Sequence, residues 1–355
     1  MSRALRVSTV LLLAGIPLAA QEQPDWRSRV SVHGYLHQAY AVSDDRPIFG
    51  IPTDGTTDYR DLALQLRYDH DRDNALVVQL RHQRRGAEET PAETVDLDWA
   101  FYQRNISERF SLKAGRIPLP LGIFNEAGGV GTTSPFFEPP YEFYDRAYTS
   151  RTLDGVLGSV ALGSAGDWTF DLDAYGGVWR LEEWGDGDGA DARDAWGAQL
   201  WANSPWPGIR FGAGAYRCTV EPPADAPEDY LMLHASADAD LDRWRFAAEF
   251  LSGNLASYGT YRSWYAQAGY QLTPRFSIHA RGAIANVETP YYGHDVSARL
   301  SEDLALVLNY AITPALAFKL EGHTNEGFLT HERPLNLYGP PSETRYLIAS
   351  IAATF

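Results

Sequence analysis

The sequence predicts an all-β fold, a transmembrane antiparallel β-barrel of about 16 strands with short turns at one end and long loops at the other. Three observations predict it. Apolar side chains recur at every second position in segments of about ten residues, the spacing that sends them to one face of a strand. Short and long connections between these segments alternate strictly. Aromatic residues gather on the apolar face beside the short connections, where a bilayer interface would hold them.

The chain opens on a different signal. Met1 to Arg6 is basic and Val7 to Leu18 is an apolar run too short to span a bilayer as a helix. Leu18-Ala19-Ala20 before Gln21 reads as a cleavage site, so residues 1–20 are expected to be an export signal. A periplasmic lead follows over 21–28, and the barrel over 29–355.

From Val30 the alternation runs almost unbroken. Val30, Val32, Leu36, Tyr40 and Val42 form one face of the first strand, opposite Ser31, His33, Tyr35 and His37. Leu62, Leu64, Leu66 and Tyr68 oppose Asp61, Gln65 and Arg67; Leu76, Val78 and Leu80 oppose Gln79, Arg81 and Gln83. Val95, Leu97, Trp99 and Phe101 are expected on the lipid face, opposite Asp96 and Asp98. Phe110, Leu112 and Ala114 then face away from Ser111, Lys113 and Gly115.

The longest segment without alternation follows, and 117–151 is expected to fold back into the barrel. Beyond it come a Gly-containing strand at Val156–Leu162, then Trp168–Ala174, Trp196–Leu200, Ile209–Ala213, Leu231–Ala235 and Trp244–Phe250. Trp264–Tyr270, Phe276–Ala280, Leu304–Tyr310, Leu316–Leu320 and Leu347–Phe355 complete the set. Asp69–Asn74, Asn105–Glu108, Thr273–Arg275 and their like are the short turns. Ser43–Asp58, Arg85–Glu93, Glu288–Glu302 and Asn325–Ser342 are among the long loops. Tyr68, Phe101, Phe110, Trp168, Trp244, Tyr270, Phe276, Tyr310 and Phe355 fall at one depth, as a girdle does; a secreted β-sandwich has no reason to align them.

Composition bounds the function. A net charge of −16 argues against nucleic acid as a partner. Cys218 is the only cysteine, which excludes an intrachain disulfide framework and a CxxC metal knuckle. A mean hydropathy of −0.31 does not oppose a barrel whose lipid-facing residues are only every second one. There is no P-loop, no GxGxxG after a strand and no HExxH.

Two segments carry a resemblance. Tyr346-Leu-Ile-Ala-Ser-Ile-Ala-Ala-Thr-Phe355 resembles the closing strand of Gram-negative outer-membrane barrels, which implies recognition by the barrel-insertion machinery. Lys113-Ala-Gly-Arg-Ile-Pro-Leu-Pro-Leu-Gly-Ile-Phe-Asn-Glu126, after Asp96-Leu-Asp-Trp-Ala-Phe101, resembles the phosphate-selective porin family and related proteobacterial porins. The resemblance implies an outer-membrane homotrimer in contact with lipid bilayer and lipopolysaccharide, passing small hydrophilic solutes or ions. The chain departs from the phosphate-selective pattern in having only two lysines, Lys113 and Lys319, and inward basic residues interspersed with carboxylates.

Opposed charges at a constriction set the selectivity of such a channel. Glu126, Glu138, Glu142 and Asp145, with Phe137 and Tyr141, are the candidate constriction residues on the loop. Arg67, Arg81, Lys113 and Arg281, on the inward parity of their strands, are the candidate basic wall. His234 and Ser236 share a strand face as a base and nucleophile would, but that face is the inward one, away from lipid. Asp186, Asp188 and Asp191 have the carboxylate and glycine pattern of a Ca²⁺ loop without its distal bidentate Glu. No other cofactor is implied. The expected function is a channel, not an enzyme; a surface adhesin or receptor barrel and an outer-membrane lipid hydrolase are the alternatives.

Overall fold

The computed structural model describes residues 26–87, 94–144, 149–181, 190–221, 227–255, 259–291, 294–327 and 342–355. The expected export signal lies outside them. After a 3-10 turn at Trp26–Arg29 the described residues form sixteen strands: β1 (Val30–Ser43), β2 (Thr56–Asp69), β3 (Asn74–Arg85), β4 (Asp96–Ser107), β5 (Phe110–Pro118), β6 (Thr152–Ala165), β7 (Trp168–Leu181) and β8 (Ala190–Asn203), then β9 (Ile209–Glu221), β10 (Glu228–Leu241), β11 (Trp244–Asn254), β12 (Thr260–Thr273), β13 (Phe276–Tyr291), β14 (His294–Thr313), β15 (Leu316–Gly327) and β16 (Ser342–Thr354). A short helix, α1 (Tyr141–Tyr144), lies between β5 and β6.

Each strand pairs antiparallel with its sequence neighbours, and β1 pairs with β16, so the sheet closes on itself. The seam runs in register from Tyr35 opposite Thr354 to Ser43 opposite Tyr346. Phe355 fastens its lower end, exchanging backbone hydrogen bonds with Gly34 at 3.1 Å. Closure leaves no unpaired strand edge, the condition a sheet must meet in lipid.

Polarity is inverted relative to a water-soluble protein. Leu304 and Leu347 point outward and are 61% and 54% exposed, whereas Lys319 and Glu321 point inward and are 1% exposed. An uncovered apolar belt around a polar interior is stable only where lipid replaces water outside, so the barrel spans a membrane. The girdle is present near the short turns: the ring of Trp244 packs on Tyr270 at 4.7 Å, and Trp168 lies 6.2 Å from Phe211.

Two sequence expectations need correction. Trp99 and Phe101 do not face lipid. A bulge shifts the pairing between Gln79 opposite Trp99 and Leu80 opposite Leu97, which flips the parity of the rest of β4. Both rings are buried inside, and Tyr102 takes the outer position instead. The second is the loop expected at Glu288–Glu302. β13 and β14 continue their ladder past the rim, from Glu288 opposite Ser297 to Tyr291 opposite His294, with a further bulge between Ala285 and Asn286. Val287, Ala298 and Leu300, at the base of this hairpin, are buried over the barrel mouth.

Candidate functional site

The loop between β5 and β6 occupies the lumen, and its own sequence explains why it can. It begins with an apolar stretch: Ile117, Leu119 and Leu121 are fully buried against inward side chains of the wall, among them Leu153, Tyr216, Met232, Leu251 and Tyr261. The neck is closed by Leu119 N–H donating to Arg151 O at 2.9 Å and by the Asn125 amide donating to Leu119 O and Ser150 O at 2.8 and 3.1 Å. Gly122 then turns the chain in the left-handed region, φ 60°.

The turn at Gly122 delivers successive backbone N–H groups to the wall. Gly122 donates to Gln199 on β8 at 2.8 Å and Ile123 to Glu249 on β11 at 2.9 Å. Glu249 also accepts from Ser236 and Tyr265 at 2.6 Å each and from the Tyr144 hydroxyl, which in turn accepts N–H groups of Ile123 and Phe124. One buried carboxylate thus satisfies four donors, two of them from the loop.

The far side of the loop is gripped by β15. Lys319 donates to the carbonyls of Ser134 and Phe136 at 2.7 and 3.2 Å, and Glu321 accepts the Phe137 N–H at 2.7 Å. The rings at 136 and 137 are buried, Phe137 lying 4.2 Å from His37 and Phe136 under the Arg281 guanidinium at 4.1 Å. Glu138 accepts from Gln83 and Arg85 of β3 at 3.0 Å each, and its carbonyl accepts from Arg281 of β13 at 3.1 Å. Pro139 and Pro140, residues suited to a helix start, lead into α1. Within α1, Glu142 is buried, accepting the Ser301 hydroxyl at 2.6 Å, while the Tyr261 hydroxyl donates to its carbonyl. Burial and the nearby Asp303 carboxylate push the Glu142 carboxyl above its ordinary value.

Of the candidate loop residues, Phe137, Glu138 and Glu142 make direct wall contacts, Tyr141 packs on Phe49 at 4.6 Å, and Glu126 is exposed. Asp145 lies outside the described residues. Of the candidate wall residues, Arg281 meets the loop directly, through the Glu138 carbonyl and the Phe136 ring. The other three have wall partners. Arg81 forms a buried pair with Asp61, which also accepts from Tyr35; Arg67 pairs with Asp69 near the short turns; Lys113 lies 5.3 Å from the Phe101 ring. The anchors that sequence reading missed are Arg85, Gln199, Glu249, Lys319 and Glu321. Gln199, Glu249, Lys319 and Glu321 are polar residues on the inward parity, which was their only sequence signal; Arg85, expected at the start of a loop, instead ends β3 and continues the inward parity of Arg81 and Gln83.

Beneath the loop, toward the short turns, lies a chamber of about 380 Å³ bounded by Thr132, Pro135 and the wall residues Asp238, Asp240, Arg245, His279 and Asn309. The inner wall of β5 to β14 on the long-loop side is instead apolar and packed against the loop. Ser236 and His234 face inward as expected, but Ser236 donates to Glu249, and neither His234 ring nitrogen has a partner among the described residues. Asp191 stands outside on β8, paired with Arg180 at 3.1 Å; Asp186 and Asp188 lie outside the described residues, among which no metal-ligating cluster occurs.

No described protein family and no curated protein matches this sequence. Solved structures do. OmpF of Salmonella typhi is similar at 13% identity with a TM-score of 0.65, covering 92% of this chain and 97% of that one. An anion-selective porin from Comamonas acidovorans gives 10% and 0.61, with 92% and 99% covered. OprB of Pseudomonas putida gives 10% and 0.60, with 93% and 95% covered. At these identities the likeness speaks for the fold, and it agrees with the strand count, the closure and the inverted polarity: the chain has the porin fold, a closed 16-stranded antiparallel barrel.

Proposed function

We propose that the protein is a passive channel of the Gram-negative outer membrane that admits small hydrophilic solutes or ions. The supporting observation is the chamber under the loop. Its walls carry the pairs Arg210–Asp238 and Arg245–Asp240, and the side chains of Asp238, Asp240 and Arg245 are 31%, 59% and 64% exposed although they point into the barrel, so water fills this half of it. The constriction is then the place where Glu138 meets Gln83, Arg85 and Arg281, with Tyr141 beside it in a pocket of about 30 Å³ shared with Arg85, Asn125 and Arg151. Charges so close to the path set ion preference more than the overall charge does. Outer-membrane OmpT of Vibrio cholerae, another structural neighbour, is described in a trimer form, which supports a homotrimer for this chain.

A second reading rests on the packed half of the lumen. Leu121, Phe143, Tyr261 and Leu300 fill the long-loop side with apolar contact, which suits a surface adhesin or receptor barrel that need not conduct. The lipid hydrolase has less support, since Ser236 is bonded to Glu249 and faces away from lipid.

Planar-bilayer recording under a salt gradient separates these. A steady conductance whose cation preference falls in Glu138→Gln supports the channel with this constriction. Conductance with unchanged preference moves the constriction elsewhere, and absence of conductance favours the adhesin or receptor.

A further inference from the structure

The chamber beneath the loop owes its room to Ala247, Ala311 and Ala317, small inward residues of β11, β14 and β15. Among them the ladder sets polar side chains in one row across neighbouring strands: Gln271 pairs with Ser277, Ser277 with Asn309, and Asn309 with Lys319. Residues directly opposite on one face of a sheet are close enough to grip one solute together. Next to the row, the His279 ring lies over Gly269 with its Nε2 at 3.1 Å from the Ser277 hydroxyl. The charges along this wall are already engaged. Lys319 donates to the loop carbonyls of Ser134 and Phe136, Asp238 pairs with Arg210 at 2.9 Å and Asp240 with Arg245 at 3.4 Å, while Arg275 stands in solvent on the turn at the mouth. The carboxamides are not engaged. Asn309 Oδ1 is buried with no hydrogen-bond partner among the described residues, and the Gln267 side chain makes no hydrogen bond to another described residue. Over this polar wall the loop brings an apolar roof, Ile123 and the half-buried ring of Phe124, which packs 6.4 Å from both Tyr144 and Tyr265.

We propose that this chamber is a binding site for a neutral polyhydroxylated solute, a mono- or disaccharide. The proposal rests on the channel reading and gives that channel a solute class. A carboxamide both donates and accepts, as a hydroxyl does, so neighbouring hydroxyls of a sugar find complementary groups in Gln267, Asn309, Ser277 and His279. The buried Asn309 oxygen calls for a donor, and a sugar hydroxyl supplies one. A pyranose also has an apolar C–H face, which an aromatic ring such as Phe124 covers while the polar edges stay on the wall. A volume of about 380 Å³ with a few polar groups to fix orientation lies in the range of roughly 300–1,000 Å³ usual for small-molecule sites. A charged solute finds less here, because the acids of β10 already face arginines and Lys319 already holds the loop.

The test is equilibrium dialysis of the full barrel in detergent micelles against labelled glucose and sucrose, with inorganic phosphate, succinate and glycine as competitors. Saturable sugar binding with a dissociation constant on the order of 1 mM is expected, unmoved by equal concentrations of the three competitors, a readout that needs no variant to fold. Gln267→Leu/Asn309→Leu is expected to bind roughly tenfold more weakly, as loss of two hydrogen bonds predicts. Gln65→Leu/Gln103→Leu changes inward amides on β2 and β4, outside the chamber lining and bonded to Gln79 and Asn105, and is expected to bind as wild type does. The proposal is overturned if neither sugar saturates the barrel, if phosphate, succinate or glycine displaces the sugar, if the Gln267/Asn309 variant binds normally, or if the Gln65/Gln103 variant loses as much. Planar-bilayer recording of the same preparation separates this site from the channel. Sucrose binding without conductance keeps the site and removes the channel, whereas conductance without sugar binding keeps the channel and removes the site.

Discussion

Glu321 on β15 accepts the backbone N–H of Phe137 at 2.7 Å, across 184 residues of sequence. Two residues earlier on the same face, Lys319 donates to the carbonyls on either side of Pro135. The strand thus holds the loop by one donor and one acceptor, both charged.

The first prediction follows from that asymmetry. Lys319→Met keeps much of the volume but leaves the carbonyls of Ser134 and Phe136 buried without this donor, a cost of about 2 kcal/mol. Glu321→Gln retains an oxygen that can still accept from Phe137 and loses about 1 kcal/mol as a charged acceptor becomes neutral. The unfolding midpoint in denaturant should fall more for Lys319→Met than for Glu321→Gln. Equal midpoints to wild type in both would mean that β15 does not hold the loop.

A second prediction isolates space from backbone strain. Gly122 and Gly166 share nearly the same left-handed conformation, φ 60° and 62°. A Cβ at Gly122 would meet the Glu249 carboxylate at 2.4 Å and the Tyr144 hydroxyl at 2.7 Å, whereas one at Gly166 would meet nothing within 4 Å. Gly166→Ala should therefore cost only the conformational penalty, about 1 kcal/mol. Gly122→Ala should cost clearly more and loosen the loop, read as the difference between the two midpoints.

The architecture was legible because its period is two. Leu304 and Leu347 outside, Glu249 and Arg281 inside, follow from parity alone. What parity cannot carry is a bulge, since one inserted residue reverses everything after it: Trp99 and Phe101 ended inside for that reason. The hairpin of β13 and β14 was hidden by Pro290 and by the second bulge, which leaves Leu300 of β14 as the extra residue opposite the step from Ala285 to Asn286 and so breaks the alternation over residues still paired in the ladder. The site was less legible than the wall. Glu249 and Lys319 could be placed on the inner face, but their partners at Ile123 and Phe136 come from closure of the barrel around a loop without periodicity.

The third prediction concerns pH. Burial and Asp303 raise the Glu142 carboxyl above its ordinary value of 4.5, while Ser301 opposes the shift. A group raised in the folded state binds its proton more tightly there than in the unfolded chain. Its contribution is then fully present below the unfolded value and is lost as pH rises through the raised one. Loop docking should be firmest in acid and weaken toward neutrality, and Glu142→Gln should flatten this part of the profile. Unfolding midpoints measured from about pH 4 upward for both proteins check it; a wild-type profile no steeper than that of Glu142→Gln would contradict it.

The last prediction tests the buried pair beside the loop. Arg81 donates to Asp61 at 2.7 Å through Nε and again through its second nitrogen, and Asp61 accepts from Tyr35 at 3.2 Å. Gly129 of the loop lies against Tyr35 and Asp61, so the pair forms part of the floor on which the loop rests. Removing one charge strands the other: Asp61→Asn should cost about 3 kcal/mol, because the Arg81 guanidinium stays buried with Arg151 nearby and loses its hydrogen-bonded countercharge, leaving the two arginines only the Asp98 carboxylate. Replacing both partners by apolar groups, Asp61→Leu/Arg81→Met, removes the desolvation cost of both ions and should be less damaging than Asp61→Asn alone. A double-mutant cycle on unfolding midpoints gives the answer. If the double variant is the worse of the two, water reaches the pair, and the path through the barrel runs between the loop and β2 instead of past Glu138.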